Sequence, residues 1–189
     1  PVRRDGEWQP EQPTREIDAW LCYAANKSGY TDGQLVFSEI DRLGDIWRAR
    51  GDYYDAIIDS GTTKETMRDC LAAGFAELTL DNGMIKPMRD DRREVPGYSF
   101  AADDITEDLE MSFQAQRPDD YDGIDVEYHD GTVWKNLPIE CRAPGDLGQR
   151  IQKLKLPYIT NATQAYRIGM RRRMEQKYRR WGYAWGAHM

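Results

Sequence analysis

Histidine is almost missing from this chain, with only His129 and His188 among 189 residues. A Ser-His-Asp or Cys-His nucleophile system therefore has little to build on. Cysteine is sparse too. Cys22, Cys70 and Cys141 lie far apart and form no C-x-x-C pair, which argues against a disulfide framework or a zinc site. They read as small buried hydrophobes in a reducing compartment. No apolar run approaches the ~18 residues that would cross a membrane, and no basic-then-apolar leader opens the sequence. There is no G-x-x-x-x-G-K-S/T or G-x-G-x-x-G loop; the glycines fall at helix stops and turns. No repeat of about 20–50 residues recurs. None of these patterns calls for a cofactor or a metal.

What is present fits a globular chain long enough for one large domain or two small ones. Hydrophobic residues make up 40% and charged residues 31%, with a net charge of −7. The charge is divided unevenly. Pro157 ends the segment before it, and Thr160 or Asn161 then caps a long helix, with Gln164 placed to complete a capping box. Ala162, Tyr166, Met170, Met174 and Tyr178 recur every four residues, with Gly169 and Trp181 widening an apolar stripe expected to be buried. The other faces carry Arg167, Arg171, Arg172, Arg173, Lys177, Arg179 and Arg180 against the single acid Glu175. That is about +6, and leaves about −13 for the rest. Two readings stay open for these cations. They are a solvated face whose stems cover apolar surface, or an interaction surface for an acidic partner or a neighbouring acidic subunit.

Residues 1–13 are rich in charge, Pro and Gln and read as an extended arm, ordered only by docking. From Thr14 a helix puts Ile17, Trp20, Leu21 and Ala24 on one face and stops at Gly29. Ser38 with Asp41 opens a second helix carrying Ile40, Leu43 and Trp47, closed by Gly51. Tyr53–Asp59 has strand composition. Thr62 to Glu65 is a capping box for a third helix with Met67, Cys70 and Leu71 inward and Gly74 at its end. Ala76, Leu78 and Leu80 alternate, Asn82-Gly83 turns, and Met84-Ile85-Lys86 returns, a β-hairpin with Pro87 at the strand's outer end. Arg89 to Glu94 is a solvated loop, and Tyr98 to Phe100 a short strand. Further strands are expected at Leu109–Gln114, Ile124–Tyr128, Thr132–Lys135, Ile139–Cys141 and Ile151–Leu156, with turns at Asp130-Gly131 and Pro144-Gly145; Tyr183 to Trp185 can begin another. The order points to an α+β fold, mostly antiparallel strands and hairpins with three N-terminal helices and one long basic C-terminal helix. The division is an arm over 1–13, a helix-rich α+β lobe over 14–95, and a β-rich lobe over 96–186 with the long helix at 161–181. Lack of an initiator Met and the Gly186–Met189 tail lead to the expectation of a piece of a longer protein.

Chemistry is thin. Asp119, Asp120, Asp122 and Asp125 crowd a turn that could attract Ca²⁺, without the EF-hand spacing or closing Glu; an acidic β-turn is the better reading. Asp119 or Asp125 with Glu140 and Arg142 resembles the carboxylate layout of metal-dependent nucleases, though the usual Lys is replaced. The six Trp and eleven Tyr are explained mostly by core packing. Nucleic-acid binding through the arginine helix is opposed by the overall charge.

The order of segments carries more than any single motif. Ala19-Trp20 with a Gly29-Tyr30 exit, then Tyr53–Asp59, then Glu65–Ala73 come first. Leu80-Asp81-Asn82-Gly83-Met84-Ile85-Lys86-Pro87-Met88-Arg89-Asp90 follows, then Val126-Glu127-Tyr128 before a Trp, and Ile159–Arg167 opens a basic helix. Over roughly residues 15–183 the chain resembles the central tail-hub or tail-tip attachment proteins of long-tailed bacteriophages, the host-specificity J-type group. Leu80–Asp90 matches that family's "dG-strand-pRD" hairpin. The resemblance implies a middle section of the hub with an architectural role and no catalytic residues. It implies a homotrimer closing the distal tail tube, in contact with the tape-measure protein and other tail-tip proteins. It also implies a location in the virion tail, and in the host bacterial cytoplasm during assembly. No membrane insertion by this chain is expected, and nucleic acid is disfavoured as a partner. The alternatives are a metal-dependent phage nuclease and a nucleic-acid-binding module using the arginine helix.

Overall fold

The computed structural model describes residues 2–4, 6–10, 13–58, 61–91, 100–117 and 119–186. Among them the chain is α+β, with small antiparallel and mixed sheets. A short hairpin of β1 (Val2–Arg4) and β2 (Glu7–Gln9) leads into α1 (Ile17–Lys27), α2 (Phe37–Arg50) and α3 (Thr63–Ala73). Then come β3 (Ala76–Asp81), β4 (Met84–Arg89), β5 (Glu110–Phe113), β6 (Gly123–Asp130), β7 (Lys135–Cys141) and β8 (Ile151–Leu156). The chain closes with α4 (Ala162–Tyr178) and β9 (Trp181–Ala184). β3 pairs with β4 and β5 with β9, both antiparallel. β6 is the middle of a three-stranded sheet, antiparallel to β7 and parallel to β8.

Helical spacing explains which faces are buried. Ile17, Leu21 and Ala24 of α1, Ile40, Leu43 and Trp47 of α2, and Met67, Cys70 and Leu71 of α3 are all buried. They join Ile124, Val126 and Tyr128, alternate residues on one face of β6, in a single buried cluster. Each such Leu or Ile contributes about 1.5–3 kcal/mol on leaving water, so this cluster holds the helices to the sheet. The start of α3 has its reciprocal cap: Glu65 N–H donates to Thr62 Oγ1 at 3.3 Å and Thr62 N–H to Glu65 Oε2 at 2.7 Å. At its end Gly74 serves close approach. A Cβ there would lie 2.3 Å from Trp47 Nε1, and that indole donates to Gly74 O at 2.8 Å. The left-handed turn falls on Phe75 instead, at φ 58°, at a cost of about 1–3 kcal/mol.

Local expectations fail where a group finds a better partner. Pro87 sits inside β4, fully buried, and not at its outer end. Counting from the turn-closing pair Asp81–Met84, it faces Leu78 at a non-hydrogen-bonded position, so no ladder bond is lost. Asn82 and Gly83 turn the chain at φ 50° and 83°. α1 begins at Ile17 and not Thr14, because Arg15 O accepts Tyr54 N–H at 2.9 Å and Glu16 is extended. Ser38 does not cap α2. Its N-cap is Val36, whose N–H donates to Ile85 O at 3.0 Å, while Asp41 takes Arg3. Residues 53–58 form no strand, only a bridge from Ala56 to Ile159; Asp59 lies outside the described residues. The partner stretch is short, confined between Pro157 and the start of α4. The expected arm folds back as a hairpin, Trp8 meeting Phe37 edge-on at 6.4 Å.

In the later half, the strands expected at Thr132–Lys135 and Ile139–Cys141 are one strand, β7. Asp130 Oδ1 accepts Thr132 N–H at 2.8 Å and Val133 N–H at 3.0 Å, which builds a turn over Gly131–Trp134 and delays the return to Lys135. α4 stops at Tyr178 and not near 181, because Arg180 O accepts Gln114 N–H at 2.9 Å and Trp181 opens β9. Arg92–Glu94 of the expected loop and Tyr98-Ser99 of the expected strand lie outside the described residues, as does His188.

Candidate functional site

The basic helix starts as its sequence asks and then departs from it. Asn161 Oδ1 accepts Gln164 N–H at 3.2 Å. The Gln164 side chain does not reach back to complete a box. Its Oε1 accepts Asp55 N–H at 3.0 Å, tying α4 to the segment after α2. The buried stripe is also one position earlier than expected, running through Ala165, Gly169 and Arg173. Gly169 sets this phase: a Cβ there would stand 2.5 Å from both Cys141 Sγ and Val126 Cγ2, so only glycine lets the helix lie on β6 and β7. Ala162, Tyr166, Tyr178 and Trp181 are correspondingly exposed.

The seven cations separate into two groups. Arg173 is 3% exposed and donates through Nε and Nη2 to Asp146, each at 2.7 Å, and through Nη1 to Tyr121 O at 2.8 Å. Lys177 adds a contact to Asp146 at 3.2 Å. The Arg173 bonds come first among the causes that hold the Asp146 carboxyl well below the usual carboxylate range, with the Ala143 N–H also contributing. Arg167 pairs with Asp52 and donates to Gly51 O at 2.9 Å. Arg180 donates to Asp120 at 2.9 Å. These four bind the helix to its own chain. Arg171 pairs with Glu175 at 2.7 Å, one turn on, and Arg172 approaches the same acid at 4.0 Å. Arg172 and Arg179 are exposed. Of the expected interaction surface, Arg171, Arg172 and Arg179 stay on the outside, and Arg173 does not.

A second charge node was not apparent in the sequence. Asp52 is 1% exposed and gathers Arg167, Arg50 at 3.3 Å and Arg89 at 3.8 Å. Arg89, expected in a solvated loop, ends β4 and is buried. Burial is the first cause lowering its pKa, followed by the nearby Arg50. Beside this node a cavity of about 130 Å³ is lined by Arg15, Asp52, Asp55, Asn161, Gln164 and Arg167. A larger groove of about 400 Å³ lies between the β3–β4 hairpin, β8 and α4. Phe75, Met88, Leu154, Leu156 and Ile168 give it apolar walls, and Arg171, Arg172 and Arg179 share its rim with Glu77, Asp90 and Glu175. Three cations against three acids leave that rim neutral.

The acidic turn is spent on fastening. Asp122 accepts Gln149 N–H at 2.9 Å and Arg150 N–H at 2.6 Å, and Asp120 takes Arg180. Asp122 thereby holds the connection that crosses the start of β6 to reach β8. Asp125 and Glu140 stand directly opposite each other on β6 and β7. Arg142 bonds Asp125 at 2.7 Å and lies 3.7 Å from Glu140, and neither acid lines the cavities above. Among the described residues no group of three or more His, Cys, Asp or Glu could hold a metal ion. His129 lies in β6, with Nδ1 3.0 Å from Asn136 Oδ1. Burial raises the thiols, Cys22 to about 12 and Cys141 to about 11, and Cys70 well above its usual value, so none is a ready nucleophile at neutral pH. No protein-family model and no curated protein matches the chain. No helix among the described residues is long and apolar enough to cross a membrane.

Asp52 and Asp146 were missed because partners that define them, Arg89 and Arg167 for the first and Arg173 for the second, are distant in sequence, 27 residues away for Arg173. Each follows a glycine at a turn, and no spacing rule links such an acid to a later helix.

Proposed function

We propose that this chain is a structural component of a bacteriophage or prophage tail tip, part of a hub that closes the distal tail tube and joins neighbouring tail proteins. In this reading α1–α3 form its N-terminal helical part and α4 is the long basic helix. The protein acts in the virion tail after assembly in the host cytoplasm, with three copies around the tail axis and the tape-measure protein among its partners. One observation carries the reading. The residues on which the resemblance rests do fastening work: Asn82 and Gly83 make a turn, Pro87 is buried, Arg89 meets Asp52, Asn161 caps α4 and Gln164 holds Asp55. Turning, capping and packing of this kind is the work that an architectural role asks of its characteristic residues.

In this reading Arg172 and Arg179, the exposed cations of the basic segment, meet an acidic neighbour. The test is Arg172→Glu with Arg179→Glu in a phage or prophage that encodes the chain. The expected result is particles with unclosed or missing tail tips in electron micrographs, while the purified variant keeps the wild-type circular dichroism spectrum. Normal tails would contradict this role for the helix. Mg²⁺- or Mn²⁺-dependent cleavage of DNA by the purified chain, lost on Glu140→Gln, would replace the structural reading with the nuclease one.

A further inference from the structure

The ribbon of β5 and β9 has two unlike faces. Met111 stands opposite Tyr183 and Phe113 opposite Trp181, and the same register sets Leu109 opposite Trp185. These six side chains share one face, because residues two apart in a strand point the same way. Glu110, Ser112, Gly182 and Ala184 make up the other. Phe113 and Trp181 lie 4.8 Å apart, and Trp181 stacks on Tyr183 at 6.5 Å. Yet the six are 44–64% exposed. All eight residues of the two strands are exposed; at the end of the face Trp185 meets Phe100 edge-on at 5.8 Å, and the strand residues themselves stay open. An isolated two-stranded ribbon is marginal in water.

The bare face is large enough to be an interface. Six side chains of ~200 Å² each, about half exposed, give on the order of 600 Å² of apolar surface, the upper end of what a monomer usually shows. Two such faces bury ~1,200 Å² in total, the lower end for a specific complex.

Charge identifies the occupant. At one end of the ribbon Thr106 N–H donates to Gly186 O at 2.9 Å. There lie Asp103, Asp104, Glu107 and Asp108, with no basic residue from 100 to 110. At the other end lie Arg117, Arg179 and Arg180, with Asp119 and Asp120, and of these Arg180 is joined to Asp120 at 2.9 Å. The ribbon is thus acidic at one end and net basic at the other. We propose that the face is covered by the same face of a second copy of this chain, the two ribbons lying antiparallel about a two-fold axis. Each acidic end then meets the partner's Arg117 and Arg179, and the aromatic side chains close into a shared core. A parallel stack, two-fold or threefold, would set acidic end on acidic end. This pairing goes beyond the tail reading and does not use it.

The experiment is light scattering behind size exclusion on the whole chain over a wide concentration range. A reversible monomer–dimer equilibrium is expected. Phe113→Ser with Trp181→Ser should weaken it by about tenfold or more, with the monomer's circular dichroism and Tm unchanged. Glu107→Arg or Arg117→Glu alone should weaken it, and the two together should recover it. A monomer at every concentration overturns the pairing, as does a dimer indifferent to the serine variant. A trimer also overturns it while leaving the tail reading in place.

Discussion

The β3–β4 hairpin and the β5–β9 ribbon are both two-stranded and antiparallel, and both alternate apolar with polar residues. They end differently. In the hairpin Ala76, Ile85 and Pro87 are buried, and Arg89 reaches the Asp52 node. In the ribbon the apolar face is open to solvent. The hairpin joins neighbours in sequence through a two-residue turn, so its closure is cheap and α2 lies against it. The ribbon brings together residues about 70 apart, and all eight of its strand residues are exposed. Alternation reports that one face wants cover, and it does not say that the same chain provides it.

The contrast can be broken first at the fastened side. Asp146→Asn leaves Arg173 buried without its counter-ion and is expected to cost about 3–5 kcal/mol in a urea titration. Its pH dependence follows from the sign. The folded carboxyl lies below its unfolded value, so its stabilisation is present above about pH 4 and is lost as pH falls below that. Wild type should therefore lose more stability than Asp146→Asn between pH 5 and strong acid, and parallel curves would refute the pairing. Ile85→Ala, on the buried face of the hairpin, should cost about 2–4 kcal/mol. Thr62→Ala, which removes the cap of α3, should cost about 1 kcal/mol by the same titration. Met111→Ser on the ribbon should change the stability of dilute protein by less than about 0.5 kcal/mol, while measurably weakening association at high concentration. A loss above 1 kcal/mol in dilute solution would mean that the ribbon is already packed within its own chain.

Much of the fold was legible wherever the signal was local. The Thr62–Glu65 box, the Asn82-Gly83 turn, the inward faces of α1–α3 and the β8 span Ile151–Leu156 each follow from residues close in sequence. The phase of α4 was not legible, because Met170, Met174 and Tyr178 gave an apolar period while Gly169, with no side chain, decided which face could touch Val126 and Cys141. Likewise seven cations on one helix read as one surface. Arg173 and Arg171 part company through the acids they meet, the distant Asp146 for the first and Glu175 on the same helix for the second. The α+β class was legible because it depends on element order, whereas which cations of α4 stay outside was not, because that depends on long-range pairing.

Hydrogen–deuterium exchange, followed on the amides of both ribbons at low and high protein concentration, tests the contrast most directly. The account predicts that β3 and β4 are protected at every concentration, and that β5 and β9 exchange fast in dilute protein and slow down as copies associate. Equal protection of the two ribbons in dilute protein, or fast exchange of β5 and β9 at every concentration, would contradict it.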